Sequence, residues 1–535
     1  MNKKDLLINE FIKGKVSRRD FNAGLMSMGL TAAAAATIVE QSITKAQAAE
    51  PKAGGRIVAA ADSSHAGDTI DPTKIVQAID ISRSQLLGSR LIDFFPGEGL
   101  VPNLATEWES NADATEWRFT MLEGAEFSNG KTITAADAAY SFNRHLDPEQ
   151  GSAANAYLGD VDSITADGNT LVFKMKQTNV DVPFLMAEYH FTVCPEGQDA
   201  AAYASGNVVT SGPFMVEEFD PGIVSIFKRH PNYHKEGRPY LDEIEFFAIP
   251  DNGARVNALV SGEVDVIIGV EGNLVQQVAA SDSAHVLSQP GGAHPTYPML
   301  ADVAPYSDNN VRQALKWSFD RQRMLDLAFD GLGVVARDHP VPPHDPFWCE
   351  EVPVPTADPD KVKFYLEKAG MTNATFELTA ADTNFGGANA SIVMAELMRE
   401  NGVNVEVKRV PSDGYWSAVW MQVPWCGSSW YGRPTADQML SVAYVSGASW
   451  NESHWSNPTF DQLLLDARKE VDFDKRKQLY CDIQMLMAAE GSTITPVFIN
   501  WTDGVANKVQ NMKGHPFMYV GSLYWDDVWI DDSQA

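Results

Sequence analysis

Residues 392–407 read Ile-Val-Met-Ala-Glu-Leu-Met-Arg-Glu-Asn-Gly-Val-Asn-Val-Glu-Val. Ile392 to Arg399 carries the apolar spacing of a helix. Asn401-Gly402 closes it, since both residues tolerate the left-handed backbone of a helix end. Val403, Val405 and Val407 then alternate with polar residues, which is the period of a strand. A helix feeding directly into a strand predicts an α/β chain with a βαβ-type lobe and a partly parallel sheet.

Working outward, Val311, Ala314, Leu315, Ser318 and Phe319 fall on one helical face. Asp358-Pro359 followed by Val362, Tyr365, Leu366, Ala369 and Gly370 predicts a helix with an N-cap, a proline at its first position and a closing glycine. Phe460, Leu463, Leu464 and Ala467, then Leu479, Ile483 and Leu486, give two more amphipathic helices. Pro496 to Asn500 reads as a strand returning to a first lobe, which begins with the buried strand Arg56 to Ala61. Asp62-Ser63-Ser64-His65 ends that strand where a ligand could meet backbone, making Ser63 a candidate contact. Trp117, Phe119 and Met121 alternate as a half-buried strand. Thr134 N-caps a helix with Asp137 at the capping-box position. Val161 to Thr165 and Leu171, Phe173 and Met175 form a hairpin around Asp167-Gly168-Asn169.

Between Tyr415 and Tyr444 the chain gathers Trp416, Trp420, Trp425 and Trp430, with Tyr415 and Tyr431 beside them. Pro424, Gly427, Gly432 and Pro434 exclude a long helix there. Flat rings on a broken backbone suit a pocket wall, although any single tryptophan can equally fill a core. Arg433 adds a planar donor fork suited to a carboxylate. Its two readings are a contact to a ligand carboxylate and a structural pair with Asp437. His294, in Gly291-Gly292-Ala293-His294-Pro295, marks a crossover between lobes; it either touches a ligand or is bonded to backbone.

At 535 residues the chain needs two or more lobes. Its net charge of −30 argues against nucleic acid and anionic membranes as partners; the same charge also serves plain solubility. Cys194, Cys349, Cys426 and Cys481 show no metal-ligand spacing, and four cysteines allow three full pairings. No nucleophile elbow, phosphate loop or His-Glu-x-x-His motif occurs, so neither catalytic residues nor a metal or cofactor site is predicted. Asp526-Asp527 and Asp531-Asp532 read as solvated surface.

Residues 1–48 read as an export address rather than part of the fold. Basic residues lead into Ser17-Arg18-Arg19-Asp20-Phe21, an apolar run from Ala23 to Val39, and Ala46-Gln47-Ala48 as a cleavage site. The paired arginines resemble a twin-arginine signal. The segment holds seven Lys/Arg and four Asp/Glu, so cleavage near Ala48 takes the net charge from −30 to −33. The expectation is a soluble exported protein, periplasmic where the cell has an outer membrane.

Several motifs in order carry a resemblance. They are Asn103-x-Ala105-x-x-Trp108, Trp117-x-Phe119, Gly124-x-x-Phe127-x-Asn129-Gly130-Lys131, Ala135-x-Asp137, Thr210-Ser211-Gly212-Pro213-Phe214, His230-Pro231-Asn232-Tyr233, Leu259-x-x-Gly262-x-x-Asp265, and Val311-Arg312-x-Ala314-Leu315 through Asp320-Arg321. Together they are similar to the solute-binding proteins of peptide, opine and nickel ABC importers. That resemblance implies a two-lobed binding protein that closes like a clam, with mixed sheets, a hinge and a small extra domain. On it, residues 49–87, 207–298 and 496–535 form lobe I, 88–206 its extra subdomain, and 299–495 lobe II. The implied function is capture of a small solute or short peptide as a monomer, with delivery to an ABC permease and ATPase in the inner membrane and no reaction catalysed. An exported enzyme and a sensory or chaperone-like binder on the same fold are the competing classes.

Taken with the residue readings above, the expected site is Trp416, Trp425, Trp430, Arg433, Asp437, Ser63 and His294. Trp416 matches a pocket-lining tryptophan of the family. Peptide-binding members carry Trp-x-x-Asp followed by Pro, the Asp pairing the peptide's amino terminus. Here Ser428 stands third after Trp425; aligned on Pro434, Trp430 falls on the Asp. Either way the acid is gone and Arg433 has appeared, which favours a ligand carboxylate or stacking, while Asp437 could supply the missing acid to a peptide. Nickel is disfavoured for want of a His or thioether constellation. Oligopeptide-binding members have a disulfide cysteine at the place of Cys426, which implies a Cys349–Cys426 bridge.

Overall fold

The computed structural model describes residues 51–61, 64–95, 98–270, 272, 274–382, 385–516 and 524–534; the export address and Ser63 lie outside them. The stretch around residue 400 is built as its spacing predicts. Gly387–Glu400 is helical, Asn401 caps it, and Asn404–Arg409 runs parallel to Thr375–Ala380. Asp358 accepts a hydrogen bond from the Lys361 amide to start Pro359–Ala369, and Gly370 ends it at φ 69°. One helix is shorter than its periodicity suggests. Asn309–Lys316 stops before Ser318, because Asp320 starts a new helix, Arg321–Ala328, by accepting from the Arg323 amide.

The largest sheet has eight strands. Arg56–Ala61 lies inside it, parallel to both Glu243–Ala248 and Val266–Ile267. Val497–Ala506 returns to this sheet and pairs antiparallel with Ala284–Pro290. Its core gathers Ile57, Phe227, Ile244, Val266, Val505 and Trp525. A separate four-stranded sheet, ordered Ala105–Ser110, Glu116–Met121, Thr170–Met175, Val161–Asp167, encloses Phe119, Phe127, Phe142 and Phe173. The helix Ala135–Leu146 covers it, with Thr134 and Asp137 forming the capping box. A third region packs Val311, Leu315, Phe376, Met394 and Trp425 in one cluster, and Trp430, Leu440, Phe460, Tyr480 and Ile483 in the next. No residue is shared between these clusters. Each buried large apolar side chain contributes about 1.5–3 kcal/mol, so each region carries a core of its own. Among the described residues no helix is long and apolar enough to cross a membrane.

Two expectations are corrected. The disulfide joins Cys349 to Cys481, not to Cys426. Cys481 lies on the helix Phe473–Glu490 against Cys349 and Val352, whereas Cys426 is a buried free thiol packed with Tyr415 and Val419. Spanning 132 residues, the bridge stabilises by about 5 kcal/mol in the chain-entropy picture. Asp526 and Asp531 are not solvated surface: both are buried, and Asp526 has Lys235 Nζ at 3.1 Å and Arg238 Nη1 at 3.8 Å.

Candidate functional site

Strand pairing sorts the aromatic stretch. Ser428–Trp430 runs antiparallel to the start of His294–Pro298, with Trp430 opposite His294 and Ser428 opposite Thr296. Side chains alternate along a strand, so Ser428 and Trp430 share one face and Tyr431 turns to the other. On the first face lies Glu452, only 1% exposed. It accepts hydrogen bonds from Thr296 Oγ1 at 2.7 Å and Trp420 Nε1 at 2.8 Å, and the side chains of Ser428 and Trp430 also face it. Burial raises its pKa, and these neutral groups pull the other way. Glu452 has no cationic partner among the described residues.

On the other face Tyr431 borders a cleft of about 690 Å³. One wall comes from the eight-stranded sheet and its loops, through Asn252, Val270, Leu274 and Trp501; the opposite wall comes from the third region, through Phe329, Phe385 and Tyr431. Tyr431 stacks on Trp501 at 6.1 Å with 10° between planes, and Phe385 meets both edge-on at 5.3 and 6.1 Å. Asn252, Asn500 and Thr502 supply neutral polar groups, and Asp330 is the lining acid. Gly292 and Gly432 touch behind this wall: a Cβ on either would come within 3.0 Å of the other's Cα. Glycine at both positions allows the two chain segments to pass at that separation.

The expected site residues divide. Trp425 is core, 1% exposed, with Tyr306 6.0 Å away. Trp430 stands between Glu452 and Trp450, whose ring is 6.0 Å distant. Trp416 is half exposed and leans edge-on against Trp420 at 5.9 Å. His294 is fully buried, and its Nδ1 donates to the Gly292 carbonyl at 2.8 Å. Burial and then Arg433 push its pKa down to about 4, against the pull of the Gly292 carbonyl. Asp437 pairs with Arg468 at 3.1 Å rather than with Arg433, and burial pushes its pKa up to about 6. Arg433 is half-buried over the Trp430 ring at 5.8 Å; Nη1 donates to the Tyr431 and Gly432 carbonyls at 3.3 and 3.4 Å. It has no carboxylate partner among the described residues, and its charge reaches Tyr157 and Tyr189 of the four-stranded region. None of these six lines the 690 Å³ cleft. Tyr431, Phe385 and Trp501 meet at the cleft although they are not among the expected site residues. Tyr431 was within the singled-out stretch, and a strand alternation beginning at Ser428 would have separated it from Trp430.

Residues 99–452 match the family model described as bacterial extracellular solute-binding proteins, family 5 Middle. A heme-binding protein A of Haemophilus influenzae is 24% identical over 495 residues, covering 84% of this chain and 88% of its own. The periplasmic oligopeptide-binding protein OppA of Salmonella typhimurium is 25% identical, covering 80% and 84%. Among solved structures, the oligopeptide-binding protein AppA of Bacillus subtilis, in complex with a nonapeptide, superposes with a TM-score of 0.70 at 20% identity over 90% of this chain and all of its own. That likeness is one of fold.

Proposed function

The chain belongs to the bacterial extracellular solute-binding proteins of family 5, and from that premise we propose that it captures a peptide-like or carboxylate-bearing small solute between two lobes for an ABC importer. It hands the solute unchanged to the permease and ATPase in the inner membrane. The observation that carries this reading is the cleft of about 690 Å³ walled by two separate cores, within the range of about 300–1,000 Å³ usual for small-ligand sites. Lobe I comprises residues 49–87, 207–298 and 496–535, lobe II residues 299–495, and 88–206 is the extra subdomain. Arg433 stands next to the lining residue Tyr431 without itself lining the cleft; a guanidinium with no carboxylate of its own among the described residues, it supports a carboxylate on the solute. Its neighbour Tyr431 and the ring of Trp501 support stacking. The relatives' peptide and heme names describe flat or extended solutes, and the neutral polar groups of the cleft suit the peptide backbone better than a metal.

The protein works as a monomer in the periplasm, delivered there by the twin-arginine signal and cleaved near Ala48. Mass spectrometry of whatever leaves the periplasmic protein on denaturation tests the solute class. A peptide or small carboxylate is expected; a heme, or a solute without a carboxylate, overturns it. Calorimetry with the recovered solute tests Arg433. Arg433→Ala should weaken binding by about 2–5 kcal/mol, as truncation of one member of a buried charge pair does, and Arg433→Lys should recover part. Unchanged affinity with a lowered melting temperature assigns Arg433 to the fold instead. Replacing Arg18 and Arg19 by lysines should retain the precursor in the cytoplasm.

A further inference from the structure

Asp181 belongs to the region of the four-stranded sheet and sits at the start of the short helix Val182–Leu185. Its carboxylate is buried, yet it makes no capping bond to that helix. One oxygen, Oδ1, has no hydrogen-bond partner among the described residues; the other, Oδ2, meets Arg476 Nη2 at 2.5 Å, across 295 residues of sequence. Arg476 belongs to the other side, on the helix Phe473–Glu490, whose Tyr480 and Ile483 fill a lobe II core. It is held there without Asp181: Nε donates to the Ala467 carbonyl at 3.0 Å, and the guanidinium lies 4.8 Å over Phe347 and 5.5 Å over Tyr480. The donor is therefore preset by its own lobe, while among the described residues the acceptor has its ionic partner on the opposite body. Were the bodies to separate, Asp181 would lose this partner while Arg476 kept its own-lobe bond and stacking.

Charge along this contact is arranged for meeting. Lobe II presents Arg433, Arg468 and Arg476. Facing them from the other region are Tyr157 and Tyr189, Asp160 and Asp181 respectively. Asp345 and Asp437 stand behind Arg476 within lobe II and feel Asp181 as a like charge. Arg468 is tied to Asp437 and to Ser441 Oγ, which leaves Arg476 to neutralise Asp181.

We propose that the Asp181–Arg476 pair is the latch of the closed cleft: two positioning residues that set how tightly solute is held without touching it. The idea rests on the two-lobed reading but not on any solute class. Small-angle scattering of solute-stripped protein, with no solute added, tests it. Wild type, Asp181→Asn, Arg476→Gln and the swap carrying both Asp181→Arg and Arg476→Asp are compared at low and high salt. Asp181→Asn should lower the closed population by at least about tenfold, seen as a larger radius of gyration. The swap should recover compactness, and wild type should expand at 1 M NaCl. Arg476→Gln also loses the Ala467 bond and stacking, so Asp181→Asn, whose carboxylate is not used by its own helix, is the deciding variant. Scattering from Asp181→Asn that superposes on wild type at low salt overturns the latch, as does a swap no more compact than the single variants. Because no solute is present, either result leaves the solute class untouched.

Discussion

Glu452 and Asp181 are carboxylates withdrawn from water and satisfied by opposite means. Glu452 is enclosed by neutral hydroxyl and indole groups, from Thr296 on the crossover strand and from Trp420, Ser428 and Trp430. Asp181 is met by a guanidinium from another body. Neutral donors around a buried charge hold a frame together but are lost only on unfolding. A charge pair between two bodies can be made and broken while both stay folded, at the cost of desolvating each partner every time. On the latch proposal, the difference separates a pair that closure makes and breaks from a cluster that closure leaves intact.

Breaking the mobile side should have the largest effect. Arg476→Ala strands Asp181 in the closed form and should weaken capture of the co-purified solute by about 3–5 kcal/mol; calorimetry reads it, and an affinity within threefold of wild type would mean that the pair carries no closure energy. On the fixed side, Glu452→Gln leaves some of its donors unmatched and should cost about 1–3 kcal/mol of unfolding free energy. Urea denaturation measures that cost, while the scattering radius of the folded variant stays that of wild type.

Asp437 sharpens the comparison by pH. Its folded pKa, about 6, lies above the ordinary carboxylate value, so the native state binds its proton more tightly than the unfolded state does. Its favourable contribution is complete below the ordinary value of 3.8 and is lost as pH rises through about 6. Relative to Asp437→Asn, wild type should therefore lose about 1 kcal/mol between pH 5 and pH 7; urea midpoints that shift in parallel at both pH values would refute it. The smallest effect belongs to Trp416→Ala, half exposed beside Trp420, which should change stability by no more than about 0.5 kcal/mol. A loss above 2 kcal/mol by the same urea assay would show that the indole of Trp420 depends on it to reach Glu452.

What could be read in the sequence follows the range of each signal. Asp358-Pro359 and Gly370, Thr134 with Asp137, and the alternation at Val403 to Val407 act within a few residues, and their elements form as expected. The return of Val497–Ala506 to the first sheet was legible because its apolar run needed a sheet to join. The cysteine partner was not, since Cys481 reaches Cys349 only through the packing of a helix 132 residues on. Nor was the partner of Asp437, which is Arg468 on the next helix rather than Arg433 in the adjacent loop. The tryptophan stretch shows the same limit inside thirty residues. Composition gathers the rings, but the pairing of Ser428 with Thr296 decides which of them face a buried acid, a core or a cleft.

The stack of Tyr431 on Trp501 spans the two walls of the cleft. Any widening of the cleft pulls a phenol away from an indole and changes that indole's emission. The molecule thus contains its own optical gauge of closure, read without attached dyes. With 13 tryptophans in the chain, the gauge is best isolated as the difference spectrum between wild type and Tyr431→Leu, in which Phe385 is the ring left beside Trp501 on that wall. Followed by stopped flow, the difference would time the movement of the lobes.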